Sequence, residues 1–236
     1  MKISNMSWRE VEQLVGREDR AVLPLGSTEQ HAGLSLATDT ILAERVAVEA
    51  AEPLGVPVFP ALPYGVTPYF MSYPGSITLS SDTYLRLVAE LFESLAAHGF
   101  RRIVVVNGHG GNSFAQTVGW EFARRHPGSF VKFHNWWNAP ATWEKVQQAA
   151  PVAGHASWME NFPWTRLAST AADLPAKPAA DLAKIRMLAP AEVRAELGDG
   201  NMGGVYQLPD DVMETIWRAG VEETRRAIAA DWPAQS

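Results

Sequence analysis

The run Ile103–Val106, IVVV, constrains this chain more than any other stretch. Four successive β-branched apolar residues read as a strand covered on both faces, since a strand with one wet face would alternate apolar and polar side chains. Such a strand needs helices above and below it, and the flanking patterns supply them. Ala21–Leu25 and Ser129–His134 read as further strands. Ser80–His98 carries Leu85, Val88, Leu91, Phe92 and Leu95 on one helical face. More helices are expected from about Thr40, over Ser113–His126 and over Pro209–Ala230. Strand and helix alternate, which predicts βαβ units and an α/β fold with a mainly parallel central sheet, built as one domain over residues 1–236. Ser7 and Glu10 predict a capped first helix. Val56–Leu62 reads as an edge or irregular strand, because Pro53, Pro57, Pro60 and Pro63 lack backbone donors. Residues 168–190, rich in Ala and Pro, read as an extended surface connection.

The second constraint is chemical. After the strand Ala21–Leu25 the chain continues GSTEQHAGLSLATD, with Glu29, His31 and Asp39. Carboxylate oxygen and imidazole nitrogen are ligands that Zn and Mn accept. Residues two apart in extended chain point to the same side, so Glu29 and His31 can face one ion. Asp39 opens the next helix, whose positive end favours a carboxylate. Asp39 would equally serve as a plain helix cap, and Glu29 and His31 as solvated loop residues, so this stretch alone leaves both uses open. The run IVVV ends in NGHGGN, Asn107–Asn112, where three glycines leave His109 as the functional side chain at the tip. A phosphate cradle is a weak reading of it, without GxGxxG or Gly-Lys-Ser/Thr.

In a parallel sheet the carboxyl ends of the strands lie along one edge, so Glu29, His31, Asp39 and His109 can converge there. Glu160, in the Trp-rich stretch after Asn135, offers a third carboxylate. Two His and three carboxylates suffice for two ions sharing a bridging carboxylate, a centre that activates water and polarises a carbonyl. The aromatic stretch Tyr64–Leu79 reads either as packing under the sheet or as a pocket wall. The same two uses are open for the Trp residues, nine in all.

Composition excludes several classes. With 236 residues, 47% apolar and 19% charged, the chain can bury a substantial core. A net charge of −6 with no basic stretch argues against a nucleic-acid partner. The absence of Cys removes disulfides and thiolate ligands. The segment MKISNMSWREVEQLVG lacks the apolar core of a signal peptide. No apolar run reaches the roughly 20 residues that span a bilayer. A soluble, cytoplasmic protein with no membrane partner is expected.

Four segments in order, STEQH…TD, YPGSITL, VVNGHGGN and HASWMEN, resemble the creatininase (creatinine amidohydrolase) family over roughly residues 20 to 165. The family's usual versions are close to GSTEQHGPHLPLGTD, FPGTISL, NGHGGN and HAGExETS. GNMGGVYQLPDD resembles its closing segment. The resemblance implies a three-layer α/β sandwich, a homohexamer, and a hydrolase holding two Zn2+ or Mn2+ ions per chain. Its ligands would be Glu29, His31, Asp39 (bridging), His109 and Glu160, with a bridging water as nucleophile. His155 would act as acid/base or hold the substrate oxygen, beside Glu160. Ser76, Tyr69, Trp158 and Gly110 would line the substrate, with Arg166 or Asn161 at its polar edge.

The departures from the pattern are specific. Glu29 and Asp39 are ten positions apart where the family commonly shows eleven. Leu34 stands near the second His of the first motif, and Trp158 at the first Glu of the last. Creatininases proper carry Gly-His-Tyr-Glu-Asn where this chain has GHGGN, and an acidic residue where it has Gly154. The ligands are kept and the creatinine-reading residues are not. The expected substrate is therefore a small cyclic molecule other than creatinine, opened at a C–N bond. Ring-opening C–C hydrolysis of a cyclic polyol ketone of keto-inositol type is the alternative. A non-catalytic small-molecule-binding α/β protein is the reading from another class.

Overall fold

Arg20–Leu25 (β1), Arg102–Asn107 (β2) and Phe130–Asn135 (β3) form one parallel sheet in the order β1-β2-β3. The register sets Leu25 beside Asn107 and Asn107 beside Asn135, so all three strands stop at one edge. The structure is a computed structural model describing residues 1–168 and 174–233.

Strand alternation divides the core in two. Val22, Val104 and Val106 point to a cluster formed with Thr38–Ala51 (α2), Pro140–Ala149 (α5) and Asp210–Ala229 (α8). Ala21, Leu23, Leu25, Ile103 and Val105 point the other way, to Ser81–Ala97 (α3) and Gln116–Arg125 (α4). The result is the expected three-layer α/β sandwich, and β2 is the doubly covered strand that its IVVV run requires. β3 is half-buried along its length, as an edge strand is. It carries Lys132, whose ammonium donates to the Ala227 carbonyl near the end of α8 (3.0 Å), where the helix dipole favours a cation.

Val56–Leu62 runs beside β1 without forming a regular ladder. Val22 donates to Pro57 O (2.9 Å), and Phe59 and Leu62 donate to Val22 O and Pro24 O. The prolines between them have nothing to donate. The first helix, Trp8–Val15 (α1), is capped as expected: the Glu10 carboxylate accepts from the Ser7 N–H (2.6 Å) and hydroxyl (2.7 Å).

The segment 168–190 lies at the surface as expected over most of its described residues, but it is not extended throughout and it buries Ile185. Its residues 169–173 lie outside the described residues. Beyond them, Lys177 bridges antiparallel to Gly204, Leu182–Ile185 (α6) follows, and Pro190–Leu197 (α7) comes next. Ala and Pro content masked two ordinary start signals, the Asp181 N-cap and Pro190 at the first helical position. Ile185, Val193 and Leu197 pack on Phe70 and Tyr73 in a third small core. Ile185 and α7 therefore back the aromatic loop beside the strand ends. Among the described residues no helix is long and apolar enough to cross a membrane.

Candidate metal centre

The loop after β1, the first turn of α2, the loop after β2 and the short turn Trp158–Glu160 meet at the sheet edge. They bring together Glu29, His31, Asp39, His109, His155 and Glu160 in three overlapping groups: Glu29–Asp39–His109, His31–Asp39–Glu160 and Glu29–His31–His155. The one-residue-shorter loop still delivers Asp39. α2 starts at Thr38 with Ala37 at its cap, and no side chain caps it. Asp39 is thus freed from capping. Its Oδ1 lies 3.0 Å from His31 Nε2 and its Oδ2 lies 3.0 Å from His109 Nδ1. Glu29, His31, Asp39 and His109 are at most 3% exposed, whereas His155 (18%) and Glu160 (16%) form the open side.

Each imidazole is oriented by a backbone carbonyl. His31 Nδ1 donates to Glu29 O (3.1 Å), His109 Nε2 to Val66 O (3.1 Å) and His155 Nε2 to Gln30 O (2.9 Å). A carbonyl only accepts, so those nitrogens carry protons and the opposite ones face the centre, the usual outer support of metal-bound His. Two inward carboxylate oxygens, Glu29 Oε1 and Asp39 Oδ2, are buried and accept no hydrogen bond. They lie 3.4 and 3.0 Å from His109 Nδ1 but out of hydrogen-bonding alignment. Buried oxygens without donors are costly unless a cation sits between them. The donor set therefore fits divalent metal ions.

The buried histidines and carboxylates hold one another's charges. Burial alone would lower the His31 pKa, but Asp39, Glu160 and Glu29 hold it at about 10. Against the same burial, Glu29 and Asp39 hold His109 well above its ordinary value. Burial would raise Asp39, yet His31 and His109 keep it lowered, and His109 does the same for Glu29. Without metal, the centre is a compact set of paired charges.

Backbone strain clusters here. Ala32 (φ +51°) and Ala156 (φ +58°), directly after His31 and His155, hold left-handed conformations that cost a non-glycine residue about 1 kcal/mol or more. Each is tied to the centre: Ala32 N–H donates to Gln30 Oε1 (3.0 Å), and Ala156 N–H to Glu160 Oε2 (2.6 Å).

Several supports carry no motif of their own. Gln30, 4% exposed, receives His155 on its carbonyl and donates its side-chain amide to Gly200 O (3.1 Å). Gly200 has φ +101°, and a Cβ there would lie 1.7 Å from Gln30 Oε1. Gly200→Ala is therefore expected to destabilise the protein by about 2 kcal/mol or more. A denaturation midpoint equal to wild type would show that this clamp does not hold Gln30. Asn112 donates to Gly26 O (3.0 Å) and Asn107 to His109 O (2.8 Å), which shapes the NGHGGN loop. Phe70 stacks on His155 at 4.8 Å.

The expected substrate residues divide. Tyr69 packs edge-on against Phe70 (4.6 Å). Burial and the Glu29 charge push its phenol up to about 12, so it is a hydrogen-bond donor at neutral pH. Gly110 is exposed beside His109, and a Cβ there would meet nothing within 4 Å. At Gly111, by contrast, a Cβ would lie 2.1 Å from Val66 O and 2.4 Å from His109 Nε2, so this backbone admits no side chain there. The Ser76 hydroxyl oxygen accepts the Gln30 N–H (3.0 Å).

Trp158 is a correction. It is fully buried in the core and its indole donates to Val152 O, because the apolar face of its turn points inward while Glu160 points out. Trp136, Phe162, Trp164 and Trp217 pack ring against ring in the same core, so these aromatics fill the interior. Arg166 and Asn161 are also corrected. The guanidinium donates to Asn161 Oδ1 (2.6 Å) and to Asp210 (2.6 Å), which ties the turn to α8.

Comparison with known proteins agrees with this architecture. The family profile described as Creatininase: Creatinine amidohydrolase matches residues 4–227. The chain is 33% identical over 130 residues to a creatinine amidohydrolase of Pseudomonas putida, a stretch covering 52% of this chain and 50% of that one. It is 40% identical over 116 residues to a mycofactocin precursor peptide peptidase of Mycobacterium tuberculosis (strain CDC 1551 / Oshkosh), covering 44% and 46%. The matched stretch thus spans about half the length of these relatives. A solved structure described as "Creatininase Mn" superposes with a TM-score of 0.78 at 25% identity over 96% of both chains, and another creatininase is described as "Zn-Zn type". By its sequence profile, its sandwich and its superposition, the chain belongs to the creatininase family.

Proposed function

We propose that this protein is a dinuclear Zn2+- or Mn2+-dependent hydrolase of creatininase type that cleaves a C–N bond in a small cyclic amide other than creatinine. The observation that carries the reading is the shared Asp39, whose two oxygens face one His each inside two acid–imidazole groups. Glu29, Asp39 and His109 would hold one ion, and His31, Asp39 and Glu160 the other. Two such ions, when bound, lower the pKa of water and polarise a carbonyl oxygen.

The chain's own residues do the rest. The carbonyls of Glu29 and Val66 keep His31 and His109 in the tautomers that face inward. Gln30 O fixes His155 Nε2, so Nδ1 is the atom that can receive a proton and return it to the leaving nitrogen. Tyr69, protonated and beside Phe70, can donate to a substrate oxygen. Access is from the side of His155 and Glu160, next to the unobstructed Gly110. We further infer a cytoplasmic homo-oligomer acting on a small molecule, with no nucleic-acid or membrane partner.

A second reading, hydrolysis of a peptide C–N bond, is favoured by the 40% identity to a mycofactocin precursor peptide peptidase. The missing side chain at Gly110 supports it, since a Cβ there would meet nothing within 4 Å and the surface beside His109 is left open. The test is purification with elemental analysis, followed by a screen of cyclic amides, lactones, keto-inositols, creatinine and short peptides. About two equivalents of Zn or Mn and turnover of a cyclic amide are expected. Turnover of peptides alone would favour the second reading, and of keto-inositols the C–C alternative. A chain that stays metal-free in excess Zn and Mn would leave a non-catalytic binding protein.

A further inference from the structure

We propose that His155 is a sixth protein ligand of the resting centre, bound through Nδ1. The proposal rests on the dinuclear reading above and extends it from five protein ligands to six.

Spacing is the first argument. His155 Nδ1 lies 3.6 Å from Glu29 Oε1 and 3.9 Å from Glu160 Oε2. Both are too long for a hydrogen bond, which needs roughly 2.7–3.2 Å. Ligand atoms around a four-coordinate ion with bonds near 2.1 Å stand roughly 3.4 Å apart. Among the other ligands the spacings are comparable: 3.4 Å from His109 Nδ1 to Glu29 Oε1 and 3.8 Å from His31 Nε2 to Glu160 Oε2. His155 also groups with Glu29 and His31, one possible ligand atom from each lying within 4.8 Å of the others.

Orientation is the second. His155 is supported as His31 and His109 are, with one nitrogen on a backbone carbonyl and the other turned inward. Outer support of this kind selects the tautomer that binds metal. The third argument is confinement. The ring lies between Phe70 (4.8 Å, stacked) and His31 (4.4 Å, tilted), and its backbone carbonyl accepts from Met202 N–H (2.9 Å). The next residue is the strained Ala156, held to Glu160. The imidazole is thus aimed at the centre and hindered from swinging toward solvent. Off the ion, the same nitrogen would be free to carry the proton, since Nε2 stays on Gln30 O.

The direct test is a crystal structure of the zinc-loaded wild-type protein without substrate. His155 Nδ1 is expected about 2.0–2.2 Å from one ion. A distance above about 3 Å from both ions would overturn the proposal, whereas a centre that takes up no zinc would instead remove the dinuclear reading. In solution, cobalt-loaded wild type and His155→Ala are expected to differ in their visible d–d spectra. Chelator competition should find one ion held at least about tenfold more weakly in the variant, and added imidazole should restore the wild-type spectrum. Identical spectra and affinities would refute the ligand role.

Discussion

Asp39→Ala is expected to lose both ions and to lower hydrolytic activity by on the order of 10³-fold or more, since outer-shell changes alone cost 10–100-fold. Asp39 is the carboxylate shared by the groups Glu29–Asp39–His109 and His31–Asp39–Glu160. His109→Ala and Glu160→Ala each touch only one of these groups. Elemental analysis should therefore give a graded series, with about two equivalents in wild type, about one in either single-group variant and close to none in Asp39→Ala. The fold should survive, because Asp39 is not the cap of α2 and its contribution to the helix dipole is only about 0.3–1 kcal/mol. Retention of both ions by a folded Asp39→Ala protein would show that the carboxylate does not bridge.

Removing metal is expected to have the second largest effect, and its pH dependence has a definite sign. In the metal-free protein His31 titrates at about 10, because Asp39, Glu160 and Glu29 outweigh its burial. Its folded pKa lies above the unfolded value of about 6.5. The stabilisation from its charged form is therefore complete below about pH 6.5 and is lost as pH rises toward 10. The loaded protein runs oppositely, since a bound ion requires neutral imidazole. The stability gap between the two forms should thus widen steadily from about pH 6.5 to 10. With metal at 100 times its Kd the gap is about 2.7 kcal/mol, or roughly 5–11 °C in Tm for a chain of this length. Metal uptake at pH 7 should release about two protons, from His31 and His109. Calorimetry in two buffers of different ionisation enthalpy measures that number. A gap that narrows with rising pH, or uptake without proton release, would contradict the charge state assigned to the centre.

The layered fold was legible in the chain because its signals are local. The β-branched run of β2 requires cover on both faces, and the apolar faces of α3 and α8 supply helices of the right length. The candidate ligands were legible too, since Glu29, His31 and His109 follow strands whose ends meet in a parallel sheet. Asp39 was ambiguous between cap and ligand until the helix start was known: with Ala37 at the cap, both carboxylate oxygens are left to the histidines. The Trp residues misled for a related reason. An indole serves a core or a pocket equally well, and only the direction of its turn decides, which sends Trp158 inward and Glu160 outward.

By itself, then, the sequence determined the sandwich, the family motifs and the residues able to bind metal, each written in periodicity or in contiguous segments. The tertiary structure alone decided the second layer of the site. Gln30 meets Gly200 from 170 positions away and Asn112 meets Gly26 across 86. Phe70 is laid on His155, and strained alanines are held beside two of the histidines. No local pattern encodes such pairs, because their partners are chosen by how the loops at the sheet edge pack together.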